Sequence, residues 1–288
     1  MSGKPSPMGK VHVNGMDWLK FLLYGAAMVV SLRCANAFGA YITMVTDFSV
    51  TVKPDELALV VTAENRGDVP AHAVQFEVVI NDRVLTSSVV DALGQGKKTS
   101  ADFALAYEAR GPGRYPVAIK TYYEDASGHR FTALAVGFYD YRSSLKPTVS
   151  INGRAARIPV DGKGQITFVL RNDGQTEQKI DLALFVPNEL SVIQEHRVVE
   201  IGAQQESTVV FDLENYSALA NSSYPISLIG QYEDAGNHFS MTGSAVVRIA
   251  EDVKPAVRSV WIWVLLGGLI PGTMVFLRLQ KSAGFSDR

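Results

Sequence analysis

Apolar residues alternate with polar ones along most of the middle of the chain. Two runs show this most clearly, at Leu57, Leu59, Val61 and Ala63 and then at Val74, Phe76, Val78 and Ile80. A period of two puts successive side chains on opposite faces of a half-buried strand. Glycine, proline, asparagine and aspartate separate the runs, and no long helical period occurs between 41 and 250. The pattern predicts an all-β protein and argues against a parallel sheet with crossover helices.

The middle of the chain also repeats itself. Segment 114–138 matches segment 223–247 at a constant separation, and the paired residues are Tyr115/Tyr224, Pro116/Pro225, Tyr123/Tyr232, Glu124/Glu233, Asp125/Asp234 and His129/His238. Upstream, 56–80 matches 165–186, with Asn65 opposite Asn172. Because several short strands in about 100 residues are typical of an Ig-like sandwich, we predict two tandem antiparallel Ig-like β-sandwiches, at 41–142 and 147–250. The connecting segment 141–147 allows the two sandwiches to be either fixed or hinged relative to each other.

The N-terminal segment 1–40 is predicted to be a signal sequence or a signal anchor. Lysines precede an apolar run at 21–32, and a small-residue cleavage pattern follows at 35–37. This order is typical of a secretory signal. Arg33 inside the cleavage region keeps the anchor alternative open. Cys34 adds a further alternative, lipidation, which a preceding arginine disfavours.

The C-terminal segment 259–279 is predicted to be a transmembrane helix. Its uncharged stretch, 260–277, would rise about 27 Å as a helix, enough to cross a bilayer. Trp261 and Trp263 stand where an interfacial aromatic belt belongs, and Arg278 and Lys281 follow the stretch. By the positive-inside rule the tail 280–288 is cytoplasmic. We therefore expect a single-pass protein of the cytoplasmic membrane whose ectodomain is periplasmic or on the cell surface.

Composition excludes some classes of function. A chain of 288 residues with 47% hydrophobic residues and a net charge of −2 is neither disordered nor a nucleic-acid binder. Its only cysteine is Cys34, so the ectodomain must be stabilised by hydrophobic cores rather than disulfides. Serine-hydrolase, zinc-protease and phosphate-loop motifs are missing from the sequence. We expect no enzymatic activity, no cofactor and no small-molecule substrate, with a hydrolase of unrecognised site as a lesser alternative.

The tripeptide Arg66-Gly67-Asp68 has two interpretations. In some extracellular proteins it is read by adhesion receptors. The second copy, however, has Asn172-Asp173-Gly174 at the same place, which favours a turn between two strands in both copies. The glycine is expected to supply a positive φ, and the asparagine to bond its own backbone.

Each repeat carries two carboxylates and a histidine that could be imagined as metal ligands. The candidates are Glu124, Asp125, His129, Glu233, Asp234 and His238. Calcium at the rim would be the best version of that hypothesis. Their spacing instead fits the ends and bend of a hairpin, so we predict no metal site. Tyr115 and Tyr224 are predicted to be structural, with each hydroxyl tying a sandwich corner to its own backbone.

The chain resembles a known group of domains in both copies. The pattern is carried by Asn65, Gly67, Asp68, Ala73, Phe76, Asp82, Gly113, Tyr115, Tyr123, Asp125, Gly128 and Phe131. It is similar to the CARDB and NEW3 bacterial and archaeal Ig-like domains, although the second copy has Ser222-Ser223 where the first has Gly113-Arg114. The resemblance implies extracytoplasmic, non-enzymatic modules, often in tandem and often fused to one membrane helix. It implies no particular ligand.

These observations favour a membrane-tethered accessory or assembly subunit of a cell-envelope or membrane complex. Gly268 and Gly272 would leave a smooth helix face on which a multi-span membrane protein could dock, although plain anchoring is the alternative. The alternative function is an extracytoplasmic binding or adhesion module for glycan or peptide ligands.

Overall fold

The part of the protein that the structure describes is built of strands. The computed structural model describes residues 41–106 and 111–251, and within these ranges it contains strands but no helix. The all-β prediction is therefore confirmed. No helix among these residues is long and apolar enough to cross a membrane. The predicted signal segment 1–40, the predicted membrane helix 259–279 and the tail 280–288 lie outside the described residues, as do Gly268 and Gly272.

The first copy, called sandwich 1 below, contains eight strands. They are β1 (Met44–Val52), β2 (Glu56–Asn65), β3 (Ala71–Ile80), β4 (Arg83–Thr86), β5 (Val90–Leu93), β6 (Lys98–Ala106), β7 (Gly113–Glu124) and β8 (Arg130–Tyr141). Strands β1, β2 and β6 form one sheet. The facing sheet contains β3, β4, β5, β7 and β8.

The second copy, sandwich 2, contains nine strands. They are β9 (Val149–Arg154), β10 (Ala156–Pro159), β11 (Lys163–Asn172), β12 (Gln178–Phe185), β13 (Leu190–Val192), β14 (His196–Ile201), β15 (Glu206–Asn215), β16 (Ser223–Asp234) and β17 (Asn237–Ala250). One of its sheets has the order β13-β15-β11-β9, and the other contains β14, β12, β16, β17 and β10.

Two strand pairs depart from the predicted antiparallel arrangement. β10 runs parallel to β17 from Ala156↔Val247 to Pro159↔Ala250. β17 also meets β7 in parallel at His238↔Gly113, which joins one sheet of each sandwich into a single larger sheet. The antiparallel prediction follows from hairpins between consecutive strands, and these two pairs join strands that are far apart in sequence.

The alternating residues form two separate hydrophobic cores. Along the chain, the residues of the first core run from Met44 to Tyr139 and those of the second core run from Val149 to Ile249. All eight residues of the two predicted runs are buried, including Leu57 and Phe76. Burial at every second position explains why these segments are strands, because only one face of each needs to be apolar.

Candidate functional site at the joint between the sandwiches

The predicted turns are held by a buried asparagine in each copy. Asn65 Nδ2 donates to the carbonyls of Val69 and Leu93, and the amide of Gly67 donates to Asn65 Oδ1. Asn172 makes the same bonds to the carbonyls of Thr176 and Ile201, with the amide of Gly174 on its Oδ1. Both asparagines are fully buried. The turn interpretation of Arg66-Gly67-Asp68 is confirmed, and Arg66 itself is paired with Glu64 at 2.9 Å.

The expected reason for the glycine in these turns is wrong. Neither Gly67 nor Gly174 has a positive φ. A Cβ at Gly174 would instead lie 2.9 Å from Asn172 Oδ1 and 2.9 Å from Thr148 Oγ1. At position 174 the glycine is therefore needed for close approach of the turn to the Asn172 side chain rather than for a left-handed backbone.

The two tyrosines have the predicted structural role. The hydroxyl of Tyr115 donates to the carbonyl of Gly111 at 2.6 Å, and the amide of Leu219 donates to the hydroxyl of Tyr224 at 2.9 Å. Both side chains are buried. Each copy thus ties the segment before its penultimate strand to that strand.

The two hairpins differ more than the sequence match indicates. In sandwich 1, Glu124 lies opposite Arg130, and in sandwich 2, Glu233 lies opposite His238. The sequence pairing of His129 with His238 is therefore wrong, because the second hairpin has a shorter turn, at Ala235 and Gly236. His238 takes the place of Arg130, and its Nδ1 lies 2.6 Å from Glu233 Oε1 where Arg130 Nε lies 3.0 Å from Glu124 Oε1.

The carboxylates and histidines of the hairpins are engaged in the turns and across the strands. Asp125 Oδ1 accepts the amides of Ser127 and His129, and Asp125 Oδ2 lies 3.2 Å from His129 Nδ1. Burial opposes the shift, yet these hydrogen bonds lower the pKa of Asp125. Within the described ranges, no three His, Cys, Asp or Glu side chains converge in a way that could hold a metal ion.

The side chain of His238 is mostly buried where sandwich 2 meets sandwich 1. Its side chain is 11% exposed, whereas that of His129 is 67% exposed. The imidazole stacks on Tyr115 with ring centroids 4.5 Å apart and an angle of 4°. The amide of His238 donates to the carbonyl of Pro112 at 2.9 Å. A Cβ at Gly113 would overlap the carbonyl oxygen of His238, so only glycine allows this approach.

A serine, a histidine and a glutamate come together at this point, which the sequence did not reveal. Ser240 Oγ lies 3.3 Å from His238 Nε2, and Glu233 Oε1 lies 2.6 Å from the other ring nitrogen, Nδ1. The order is that of a hydrolytic triad. Ser240, however, is fully buried, and its hydroxyl donates to the carbonyl of Arg114 at 2.8 Å. That bond directs the Ser240 hydroxyl hydrogen toward a backbone carbonyl of sandwich 1 and away from His238. This favours a role in joining the sandwiches over nucleophilic attack.

A second set of contacts joins the sandwiches through Glu189. Glu189 Oε1 accepts the amide of Thr132 at 3.0 Å, and the amide of Asn188 donates to Thr132 Oγ1 at 3.3 Å. Lys120 Nζ donates to Asn188 Oδ1 at 3.3 Å. Thr132 and Glu189 are both buried. The residues of both sets are called the joint below. In sandwich 1 they are 112–116, Lys120 and Thr132, and in sandwich 2 they are Asn188, Glu189, His238 and Ser240.

The Glu189 carboxyl is incompletely satisfied. Its Oε2 is buried and has no hydrogen-bond partner among the described residues. Burial raises the pKa of Glu189, and hydrogen bonds from its own amide and from Thr132, together with the charge of Lys120, only partly offset this. Burial is also the main reason that the pKa of Tyr123 is raised to about 12, with the Glu189 charge adding to it.

Two concave regions lie close to the turns and contacts described above. A cleft of about 100 Å³ lies between the sandwiches, with Asn81, Tyr115 and Pro116 on one side and Phe185 and Gln231 on the other. A larger open hollow of about 330 Å³ lies on the sheet of β1 and β2. Its polar lining is Asp47, Ser49, Thr62, Glu64, Arg66 and Lys98.

Comparison with known proteins gives only distant matches. No protein-family model matches the chain, and no curated protein sequence does either. Among solved structures, Escherichia coli alpha-2-macroglobulin activated by porcine elastase is 9% identical over 74% of this chain, with a TM-score of 0.30. This chain spans 22% of that protein's length. A protein of unknown function from Porphyromonas gingivalis W83 is 12% identical, covering 70% of this chain and 98% of its own, with a TM-score of 0.28.

A third similar structure is a non-cellulosomal cohesin from Archaeoglobus fulgidus. It is 16% identical over 35% of this chain and 91% of its own, with a TM-score of 0.27. Likenesses of this size show nothing about activity, ligand or partner.

Proposed function

We propose that this chain is a non-enzymatic, membrane-tethered protein that holds two Ig-like sandwiches as one rigid unit outside the cytoplasm. In this proposal it is an accessory or assembly subunit of a cell-envelope or membrane complex. The observation that carries it is the joint, because buried polar groups of one sandwich are satisfied by the other. The bonds from Ser240 to Arg114 and from Thr132 to Glu189 are the clearest examples.

Such bonds have a consequence for the shape of the ectodomain. Opening the joint would expose the His238 and Tyr115 rings to water and would leave Thr132 and Glu189 to find new partners. Contacts between domains are by default weak enough to allow motion, but directional buried bonds favour one orientation. A unit of fixed shape is suited to hold a partner at a set distance from a membrane.

The tether and the docking face of this proposal are taken from the sequence. The uncharged stretch 260–277 is long enough to cross a bilayer, and Gly268 and Gly272 would present one small-residue face to another helix. The resemblance to tandem CARDB and NEW3 domains supports the same arrangement, with a multi-span membrane protein or an envelope complex as the partner.

The test is purification of the full chain in mild detergent through a C-terminal tag. We expect a stoichiometric membrane partner that is lost on Gly268→Leu or Gly272→Leu. Gly267→Leu is the matched control, since residue 267 points about 100° away from residue 268 on a helix and should leave the partner bound. Mass spectrometry of the N-terminus tests signal cleavage before Phe38. A chain that is purified alone, with an intact N-terminus, would overturn both the docking face and the cleaved signal.

A second candidate function is supported by the hollow on sandwich 1. Glu64 Oε2 lies 2.9 Å from Arg66 Nη2 and 3.8 Å from Lys98 Nζ. The hydrogen bond from Arg66, with both cations nearby, lowers the pKa of Glu64 despite some desolvation. Mixed charges beside Val60 would suit a glycan or an extended peptide. Binding of a glycan panel to the full chain that is lost in Lys98→Ala, but kept in Lys163→Ala on sandwich 2, would favour this function over the first.

A further inference from the structure

A short loop of sandwich 2 exposes apolar side chains without any charge. Between β15 and β16, residues 216–222 read Tyr-Ser-Ala-Leu-Ala-Asn-Ser. Tyr216 is 80% exposed and Leu219 is 48% exposed. Single exposed apolar residues are ordinary on a protein surface. Two of them in one loop with no charged residue form a small apolar surface that would be more stable in contact with another apolar surface than with water.

The loop is held rigidly in this exposed form. Asn215 Nδ2 donates to the carbonyls of Val160 and Ala218, and Asn215 Oδ1 accepts the amide of Ala218. The amide of Leu219 donates to the buried Tyr224 hydroxyl, and Ala218 is itself part of the core. With its backbone fixed in this way, the loop can bind a surface at little cost in conformational entropy.

The loop also lies at the point where the chain leaves sandwich 2. The amide of Asn221 donates to the carbonyl of Ile249, and the amide of Ile249 donates to the carbonyl of Ser222. Asn221 Nδ2 donates to Glu251, the last described residue. The apolar stretch 260–277 begins only a few residues later. The intervening residues, 252–259, span at most about 28 Å when fully extended.

We propose that this loop touches the lipid surface, with Tyr216 and Leu219 inserted at the boundary between headgroups and acyl chains. The proposal rests on the membrane tether of the proposed function. A tyrosine has an apolar ring and a polar hydroxyl, which suits that boundary, and leucine adds apolar area beneath the headgroups. The contact would add a second point of attachment and would fix which end of the rigid pair faces the membrane.

Spin-label accessibility in the full chain tests this contact. Nitroxides are placed one at a time at Tyr216→Cys and Leu219→Cys in a Cys34→Ser background, in nanodiscs of phosphatidylcholine and phosphatidylglycerol. The control is Gln175→Cys, an exposed position beyond the other end of β11. Because ten strand residues rise about 33 Å, a label at 175 should stay in water when the loop touches lipid.

The expected result is an oxygen-to-nickel-chelate accessibility ratio about fivefold higher at 216 and 219 than at 175, since oxygen enters the acyl region and the chelate stays in water. Ratios equal to that at 175, in a chain that is incorporated into nanodiscs, would overturn the lipid contact and leave the tether intact. Protection of 216 from both reagents would also overturn it, in favour of a contact with protein. A chain that does not incorporate would overturn the tether of the proposed function, and this contact with it.

Discussion

The two sandwiches have the same internal supports but different hairpins. Asn65 and Asn172 hold their turns through matching bonds, and Tyr115 and Tyr224 tie their corners in the same way. The hairpin of sandwich 1 ends in an exposed Arg130–Glu124 pair, whereas the hairpin of sandwich 2 places His238 against Tyr115. The copies therefore agree where each must fold alone and differ where one contacts the other.

This difference separates two requirements that a duplicated protein must meet. The turn asparagine satisfies backbone groups that would otherwise be buried without partners, so either copy would lose stability without it. A contact in the joint, by contrast, uses a given position in only one of the two copies. Where sandwich 1 has Arg130, the shorter hairpin of sandwich 2 has His238, whose flat ring stacks on Tyr115 of sandwich 1.

The largest effect is expected at the equivalent asparagines. Asn65→Ala and Asn172→Ala should each lower the free energy of unfolding by about 3 kcal/mol, because buried carbonyls lose their donors. Urea unfolding of the full chain in detergent measures this. Asn152→Ala, at an exposed position on β9, is the control and should change stability by less than about 0.5 kcal/mol. Clearly unequal losses at 65 and 172 would break the internal equivalence of the copies.

The next effect concerns the close approach at Gly113. Gly113→Ala should force the sandwiches apart, since the new Cβ would overlap the backbone of His238, at a cost of about 2 to 3 kcal/mol. Distances between nitroxides at Val89→Cys and Gln175→Cys, again with Cys34→Ser, should change from one narrow distribution to a broad one. Gly111→Ala is the control, because its Cβ would meet its nearest neighbour at an ordinary 3.6 Å. A narrow distribution in Gly113→Ala would contradict the rigid joint.

A smaller effect should distinguish the two histidines. His238→Ala removes a mostly buried stacked ring and its hydrogen bonds, and should cost about 2 kcal/mol. His129→Ala removes an exposed ring and should stay within about 0.5 kcal/mol of the unmodified protein. Thermal unfolding of the three proteins side by side measures the contrast. Equal losses would restore the equivalence of the histidines that the sequence match predicts.

The sequence predicted the parts of the fold that each copy builds from its own neighbours. Alternation located the buried faces of β2 and β3, and the repeated asparagine and tyrosine located a turn and a corner in each copy. It did not predict the joint. Ala118 and Ile229 are buried at positions that alternation assigns to the outer face, and Ser240 bonds a carbonyl that is distant in sequence. Glu189 gave no signal either, because a glutamate in a loop is ordinarily solvated. Contacts between outer faces leave no periodic pattern.

The smallest effect is a pH dependence of the joint at Glu189. Since burial raises the pKa of this carboxyl above the value of about 4.3 that it has in a solvated chain, the closed joint holds the proton more tightly than the open one. Its stabilisation by the protonated carboxyl is complete below that solvated pKa and is lost as pH rises through the raised pKa. Lys120 favours the charged form and limits the change, while Tyr123 and Tyr224 stay neutral over this range.

The nitroxide distances between 89 and 175 should therefore broaden slightly, far less than in Gly113→Ala, as pH is raised from about 4 to about 7. Glu189→Gln keeps an oxygen for the Thr132 amide and cannot ionise, so its distances should stay narrow across the same range. Glu124→Gln, on the exposed hairpin of sandwich 1, should behave like the unmodified protein. If broadening persists in Glu189→Gln, another group controls the joint, and the buried carboxyl contributes to packing alone.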